Sequence, residues 1–308
     1  MDRVKIRCLL IINRLYIASN AIIDAGNVKY LEFISDLSGK RLCRKNERKG
    51  RKMDNYTDFA SVYDILMEDI PYDEWADYIE KILKSHGIEK GLVLELGCGT
   101  GTMTRKMAEK GYDMIGIDIS EDMLSVARQR SEGRYDDILY LCQDMREFEL
   151  YGTVAAIFCV CDTINYMLTT DDLGKVFRLV SNYLDPGGLF IFDMDTVYLY
   201  EKVLADKTVH VEHEKGSFIW ENSFYPEETI NEVNLTLFLK QENSLYRKHR
   251  ETHTRRAYDL ETIRQLLDEA DLDMIGAYHE LTDEEPRPDS ERIYVIARER
   301  YHADKLYL

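Results

Sequence analysis

Residues 92–118 read LVLELGCGTGTMTRKMAEKGYDMIGID, and the order of residue types in this stretch decides the fold. An apolar run at 92–97, three glycines (Gly97, Gly99, Gly101), a helical stretch at about 101–110 and a second apolar run at 113–118 predict strand, tight turn, helix and strand. Glycines at i, i+2 and i+4 let the backbone turn sharply and present its N–H groups to a ligand with no Cβ in the way. The spacing is not that of the dinucleotide fingerprint, whose third glycine would fall on Thr102.

Outward from this unit the alternation continues. A helix is expected at about 121–131, strands at 138–143 and 154–160, a helix at 171–184 and a strand at 188–193. Buried apolar strands that alternate with helices signal a parallel sheet covered on both faces. Upstream, residues 56–85 predict two amphipathic helices divided at Pro71, with Trp75, Ile79, Ile82 and Leu83 at helical spacing, forming a cap. Downstream, period-two stretches between about 208 and 256 predict three or four antiparallel strands, followed by a helix at 259–270 and strands at 273–279 and 291–298. No repeat with a period of about 20–50 residues is visible.

The chain has 308 residues, 45% of them hydrophobic and 31% charged, which suits one large or two modest soluble domains. Its net charge of −17 is unevenly divided: residues 1–52 carry 13 Lys/Arg against 5 Asp/Glu, the remainder 27 against 52. Residues 1–52 are expected to be a basic extension that the remaining 53–308 can do without. An acidic body repels phosphate backbones, so nucleic acid is a poor partner and a small molecule a better one. The six cysteines form no CxxC pair, and no apolar run reaches the roughly 18 residues of a membrane helix. A cytoplasmic enzyme, monomeric or homodimeric, with no membrane association is the expectation.

Two further carboxylates follow the glycine turn. Asp118 ends the second strand in GIDIS, and Asp144 ends the third in LCQDM. At strand tips, the first can accept from ribose hydroxyls and the second from an adenine amino group, so the three tips outline one adenosyl ligand across the sheet edge. With ELGCGTG, GIDISEDML, CQDM and the turn Leu184-Asp185-Pro186-Gly187-Gly188, the chain from about Tyr56 to Arg298 resembles the class I (Rossmann-like) S-adenosylmethionine-dependent methyltransferases of small-molecule type. The resemblance implies a seven-stranded, mostly parallel sheet with its last strand antiparallel, a helical N-terminal cap and an antiparallel insertion. It also implies that Glu95 and the loop Gly97, Cys98, Gly99 and Gly101 hold the methionine part of S-adenosyl-L-methionine. Asp118 would then hold the ribose, and Asp144 with the Met145 backbone the adenine. Tyr56 and Tyr63, in YTDFASVYD, match lid tyrosines that approach the cofactor.

Catalysis is expected after the fourth strand, at Cys159-Val160-Cys161-Asp162-Thr163-Ile164-Asn165-Tyr166. Methyl transfer from a sulfonium needs water excluded, the nucleophile aligned and one proton taken up. Asp162 is the candidate to orient an amine or take its proton, Asn165 to bind the acceptor and Tyr166 to wall the pocket. The (N/D)PP(Y/F) tetrapeptide of relatives that methylate adenine or glutamine amides is replaced here by DTINY, which argues against base-flipping methylation of DNA. Other chemistries fare worse. Cys159 and Cys161 are expected on one strand face as core residues, His249 and His253 lie in a strand-like stretch where they lack the HExxH pattern, and there is no GxSxG. The resulting expectation is methyl transfer to an N or O atom of a small molecule. Transfer to RNA or protein recruited by the basic arm, and a non-catalytic cofactor-binding module, are the alternatives.

Overall fold

The computed structural model describes residues 71–214, 216–241 and 245–301. The basic extension, the part of the cap before Pro71, and Tyr56 and Tyr63 lie outside the described residues. Helix α1 (Tyr72–Ser85) starts directly after Pro71 and buries Trp75, Ile79, Ile82 and Leu83 on one stripe. It stops at Gly87, whose φ of +82° lets the Ile88 N–H donate to the Leu83 carbonyl at 2.9 Å.

Strand and helix then alternate: β1 (Leu92–Leu96), α2 (Thr102–Glu109), β2 (Asp113–Asp118), α3 (Glu121–Ser131), β3 (Leu139–Cys142), β4 (Val154–Cys159), a 3₁₀ turn (Thr163–Tyr166), α4 (Thr170–Tyr183) and β5 (Leu184–Asp195). The Ser120 and Thr169 hydroxyls cap α3 and α4 by accepting backbone N–H bonds from Met123 and Asp172. After a π-helical turn (Leu199–Leu204) come β6 (Thr208–His213), β7 (Gly216–Tyr225), β8 (Ile230–Lys240), β9 (Tyr246–Arg256), α5 (Leu260–Glu269), β10 (Leu272–His279) and β11 (Arg292–Glu299).

The main sheet has seven strands in the order β10-β11-β5-β4-β1-β2-β3. The pairs from β5 to β3 are parallel, and β11 runs antiparallel between β5 and β10. Chain order reverses between β1 and β4, which opens a crevice at their carboxyl ends where ligands of such sheets bind. Strand β5 is longer than the expected 188–193 because β4 pairs with it at Leu184 and β11 as far as Asp195. Strand β3 is shorter than expected, since it has a partner on one side alone and bonds β2 over four residues.

Alternation along each strand splits the interior in two. Val93, Phe158, Leu189, Ile191 and Tyr294 face one core with α1 and α2, while Leu94, Ile157, Phe190, Phe192 and Val295 face the other with α4 and α5. Cys159 and Cys161 were expected on one face; instead Cys159 joins the second core and Cys161 the first. The strand ends at Cys159, and the backbone turns left-handed at Cys161 (φ +63°) and Asp162 (φ +48°), which breaks the two-residue period.

The region 208–256 forms four antiparallel strands, β6-β7-β8-β9. Phe218, Trp220, Val233, Leu235, Leu237 and Leu239 project from one face of this sheet into the first core, so the insertion is packed onto the body by ordinary apolar burial.

Candidate active site

The glycine loop leaves β1 in left-handed backbone: φ is +72° at Gly97, +54° at Gly99 and +72° at Gly101. A Cβ on Gly97 would lie 2.5 Å from the Thr163 methyl, so the 3₁₀ turn after β4 closes over the tip of β1 only because this residue is glycine. The Gly97 and Cys98 N–H groups both donate to the Ile117 carbonyl, at 2.8 and 2.9 Å. This ties the loop to the end of β2.

Asp118 completes that tie. Its carboxylate is 1% exposed and accepts from the Gly99 and Ser120 N–H groups, both at 2.8 Å. Burial pushes Asp118 up to about 7, although those N–H groups pull it down. Glu95, also buried, accepts the Thr104 hydroxyl, and burial, reinforced by the Asp118 charge, pushes it up to about 8. Two carboxyls held this far above their ordinary values have lost their water and await a cation or a hydroxyl donor. Burial pushes the Cys98 thiol well up, so it supplies packing and backbone and no thiolate.

A cavity of about 300 Å³ opens at the carboxyl ends of β1 to β4. Gly97, Asp118, Asp144 and Met145 line one side. Burial would raise Asp144, but the Arg146 guanidinium (Nε 3.0 Å from both oxygens) and the Arg146 N–H (2.8 Å) outweigh it and hold the carboxyl below its ordinary value. The donor set suits S-adenosylmethionine, whose ammonium and sulfonium are the cations and whose ribose supplies the hydroxyls. Glu95, Cys98, Gly99 and Gly101 stand behind this surface and shape it.

The opposite wall comes from the 3₁₀ turn and from β9. Tyr166, Thr252, His253 and Thr254 all line the cavity. The Tyr166 hydroxyl lies 3.4 Å from His253 Nδ1, and His253 Nε2 lies 3.3 Å from a Glu251 oxygen. Burial lowers the His253 imidazole below its ordinary value, and the Glu251 carboxylate does not fully offset this.

Asp162 and Asn165, expected to work on the acceptor, do not line the cavity and are 0% exposed. The left-handed turn at Cys161 and Asp162 is held by their N–H groups donating to Asp193, at 3.1 and 2.6 Å, and it rolls the Asp162 side chain inward. There it meets Arg255 of β9 at 2.6 Å and Arg292 of β11 at 3.3 Å. Arg292 also pairs with Asp193 at 2.8 Å, and both arginines reach Asp195. Asn165 spends its amide on the Asp195 and Arg256 carbonyls, at 3.1 and 2.9 Å, and accepts the Asp195 N–H at 2.9 Å. The polar atoms of both residues therefore join β4, β5, β9 and β11 to one another. Of the three expected catalytic residues, Tyr166 alone reaches the cavity.

Sequence reasoning missed His253, Glu251 and the Arg255–Arg292 pair. Asp193 and Asp195 carried a signal, because two carboxylates at i and i+2 ending an apolar strand share a face and need cations. Nothing local marks the arginines as their partners. Among the described residues no group of His, Cys, Asp and Glu could hold a metal ion.

Comparisons with known proteins fit this geometry. A family model described as a methyltransferase domain matches residues 93–188. The protein YqeM of Bacillus subtilis, named as a methyltransferase, is 36% identical over 244 residues, covering 79% of this chain and 96% of its own length. The crystal structure of an S-adenosylmethionine-dependent methyltransferase from Clostridium acetobutylicum superposes with a TM-score of 0.73 at 28% identity, over 80% of this chain and 99% of that one. The dTDP-3-amino-3,4,6-trideoxy-α-D-glucopyranose N,N-dimethyltransferase of Streptomyces venezuelae is 31% identical over 138 residues, 44% of this chain and 56% of its own. With this identity over nearly the full length of YqeM and this superposition on an S-adenosylmethionine-dependent methyltransferase, the chain belongs to the class I S-adenosylmethionine-dependent methyltransferases.

Proposed function

We propose that this methyltransferase acts on a nitrogen or oxygen atom of a small molecule, with an amine as the favoured acceptor. One observation carries the reading: a single cavity has the cofactor-type strand tips on one side and residues of the antiparallel sheet on the other. A pocket roofed in this way suits a metabolite better than a polymer, and the Streptomyces relative is named for an aminosugar. S-adenosylmethionine supplies an activated methyl group. In this reading the Glu95 carboxyl, behind the cavity wall, offsets the positive charge of the methionine part, Asp118 accepts the ribose hydroxyls, and Asp144 with the Met145 backbone takes the adenine. Tyr56 and Tyr63 would approach the cofactor from the cap, and residues 53–308 form the catalytic unit. We also propose that the reaction takes place in the cytoplasm, where Cys98, Cys142, Cys159 and Cys161, free thiols among the described residues, would stay reduced.

The test is release of S-adenosylhomocysteine on incubation with S-adenosylmethionine and separate pools of amines, aminosugar nucleotides, RNA and protein. Turnover with the small amines supports the reading. Methyl transfer confined to RNA or protein overturns it.

A further inference from the structure

We infer that Tyr166, His253 and Glu251 form a proton relay on the acceptor side of the cavity, in which Tyr166 touches the acceptor and His253 and Glu251 are positioning residues behind it. The inference rests on the small-molecule reading of that cavity. Its basis is a line of three polar groups from two separate elements. Tyr166, on the 3₁₀ turn, and His253, on β9, both line the cavity, and Glu251 follows His253 on the side away from Tyr166.

The order of the groups fixes the direction of the protons. Glu251 Oε2 and His253 Nε2 are buried 3.3 Å apart with no hydrogen bond made by either, so a small rotation pairs them. A carboxylate that only accepts then selects the imidazole tautomer with its proton on Nε2. Nδ1 is then an acceptor and takes the Tyr166 O–H, which leaves the phenol oxygen able to accept from the cavity. As the acceptor nitrogen forms its bond to the methyl carbon, the carbon–sulfur bond breaks with its electron pair left on sulfur. The proton shed by that nitrogen passes to the Tyr166 oxygen, and the phenol proton passes to His253 Nδ1. The imidazolium formed is paired with Glu251 and later returns its proton to water. Burial raises the Tyr166 phenol strongly, so a free phenolate is disfavoured and the two proton movements are coupled. Separations of 3.3 and 3.4 Å are long, as acid–base contacts often are before the substrate closes them.

The groups facing His253 favour a neutral imidazole. Glu251 and Arg255 share its face of β9, one raising and one lowering its proton affinity, and Tyr166 faces it from the turn. Val233 of β8, its cross-strand partner, is apolar. The remaining ionisable groups of the cavity are Asp118, Asp144, Arg146 and Asp172.

Two measurements test the relay. The first needs no acceptor: ¹⁵N-histidine spectra of the full chain with S-adenosylhomocysteine, the His253 signal being the one lost in His253→Gln. The relay requires a neutral imidazole at pH 7 protonated on Nε2, with that preference lost in Glu251→Gln; an Nδ1–H tautomer, or an imidazolium at pH 7, overturns it. The second uses dTDP-3-amino-3,4,6-trideoxyglucose as the amine probe. Tyr166→Phe and His253→Gln should each lower kcat by roughly 10²-fold or more, with the KM for S-adenosylmethionine unchanged. The acid limb of the wild-type pH–rate profile should lie below about 6.5, the ordinary value for histidine. Wild-type kcat in both variants overturns the relay. Glu251 is 18% exposed, and Glu251→Gln carries the same kinetic test should His253→Gln fail to fold. If the wild type turns over no amine, it is the choice of an amine acceptor that fails, and the tautomer still decides the relay.

Discussion

A carboxyl group with no water around it, such as that of Glu95, is a pH-dependent load on the protein. Its value is about 8 in the folded chain and 4.5 in a model peptide, so between these limits the folded state holds a proton that the unfolded state releases. Its contribution to stability is whole below pH 4.5 and is lost as pH rises through 8. Asp118 behaves alike between 3.8 and about 7. Glu95→Gln keeps an acceptor for Thr104 and removes the load. Its cofactor-free melting temperature should therefore fall less than that of the wild type between about pH 5 and pH 9. The same variant should bind S-adenosylmethionine about 10-fold more weakly, because it removes a carboxyl whose charge acts on the methionine part from behind the cavity wall, read by calorimetry. An equal slope of melting temperature with pH in both proteins would place the raised carboxyl elsewhere. Gly97 poses a steric counterpart. Gly97→Ala adds a left-handed penalty of ~1–2 kcal/mol to a 2.5 Å clash, and Thr163→Ala in the same chain should recover part of the lost melting temperature but not the backbone part.

At the scale of elements, β9 is the piece that joins the two sheets. Along one face it carries His253, which lines the cavity, and two residues on Arg255, which meets the buried carboxylates. Arg255→Met deprives two buried carboxylates, Asp162 and Asp195, of one of their two arginines, and breaking such a pair costs ~3–5 kcal/mol. Chemical denaturation of Arg255→Met, Asp162→Asn and the double variant should give a double-mutant cycle with strong coupling. Once folded, Asp162→Asn should retain its turnover. Loss of kcat with unchanged stability would return Asp162 to the acceptor. How legible these elements were depended on distance along the chain. The glycine loop, Asp118 and Asp144 each end a strand within one run of alternating strand and helix, so residue type and order located them. His253 stands 87 positions from Tyr166, and a histidine in a strand has the same local pattern whether it lines a cavity or fills a core. Asp162 and Asn165 were placed at a strand tip, as they are. Which way they faced depended on a left-handed turn at Cys161 and Asp162, and non-glycine residues in that region give no compositional sign.

For the whole molecule, two sheets do not imply two folding units. The first core takes side chains from α1, β4, β5, β7, β8 and β11 together, so the described residues should melt as one calorimetric transition, not two. Bound S-adenosylhomocysteine at about 100 times its dissociation constant should add ~2.7 kcal/mol and raise that transition by several degrees. A ligand that shifts only part of the heat would separate the insertion from the body. The fold was legible as α/β from the alternation alone, and the antiparallel insertion from its period of two. How one packs on the other was not legible, because the apolar face of β7 and β8 names no partner and Arg255 meets carboxylates far away in the chain. That meeting bears on attempts to alter acceptor choice by recombination. A donor insertion grafted in place of β6 to β9 would deliver new cavity-facing residues, but without an arginine in the register of Arg255 it would leave anions of the recipient unmatched. Compatible grafts are thus recognisable in advance by two marks together, an apolar face to enter the first core and a cation near the end of their last strand.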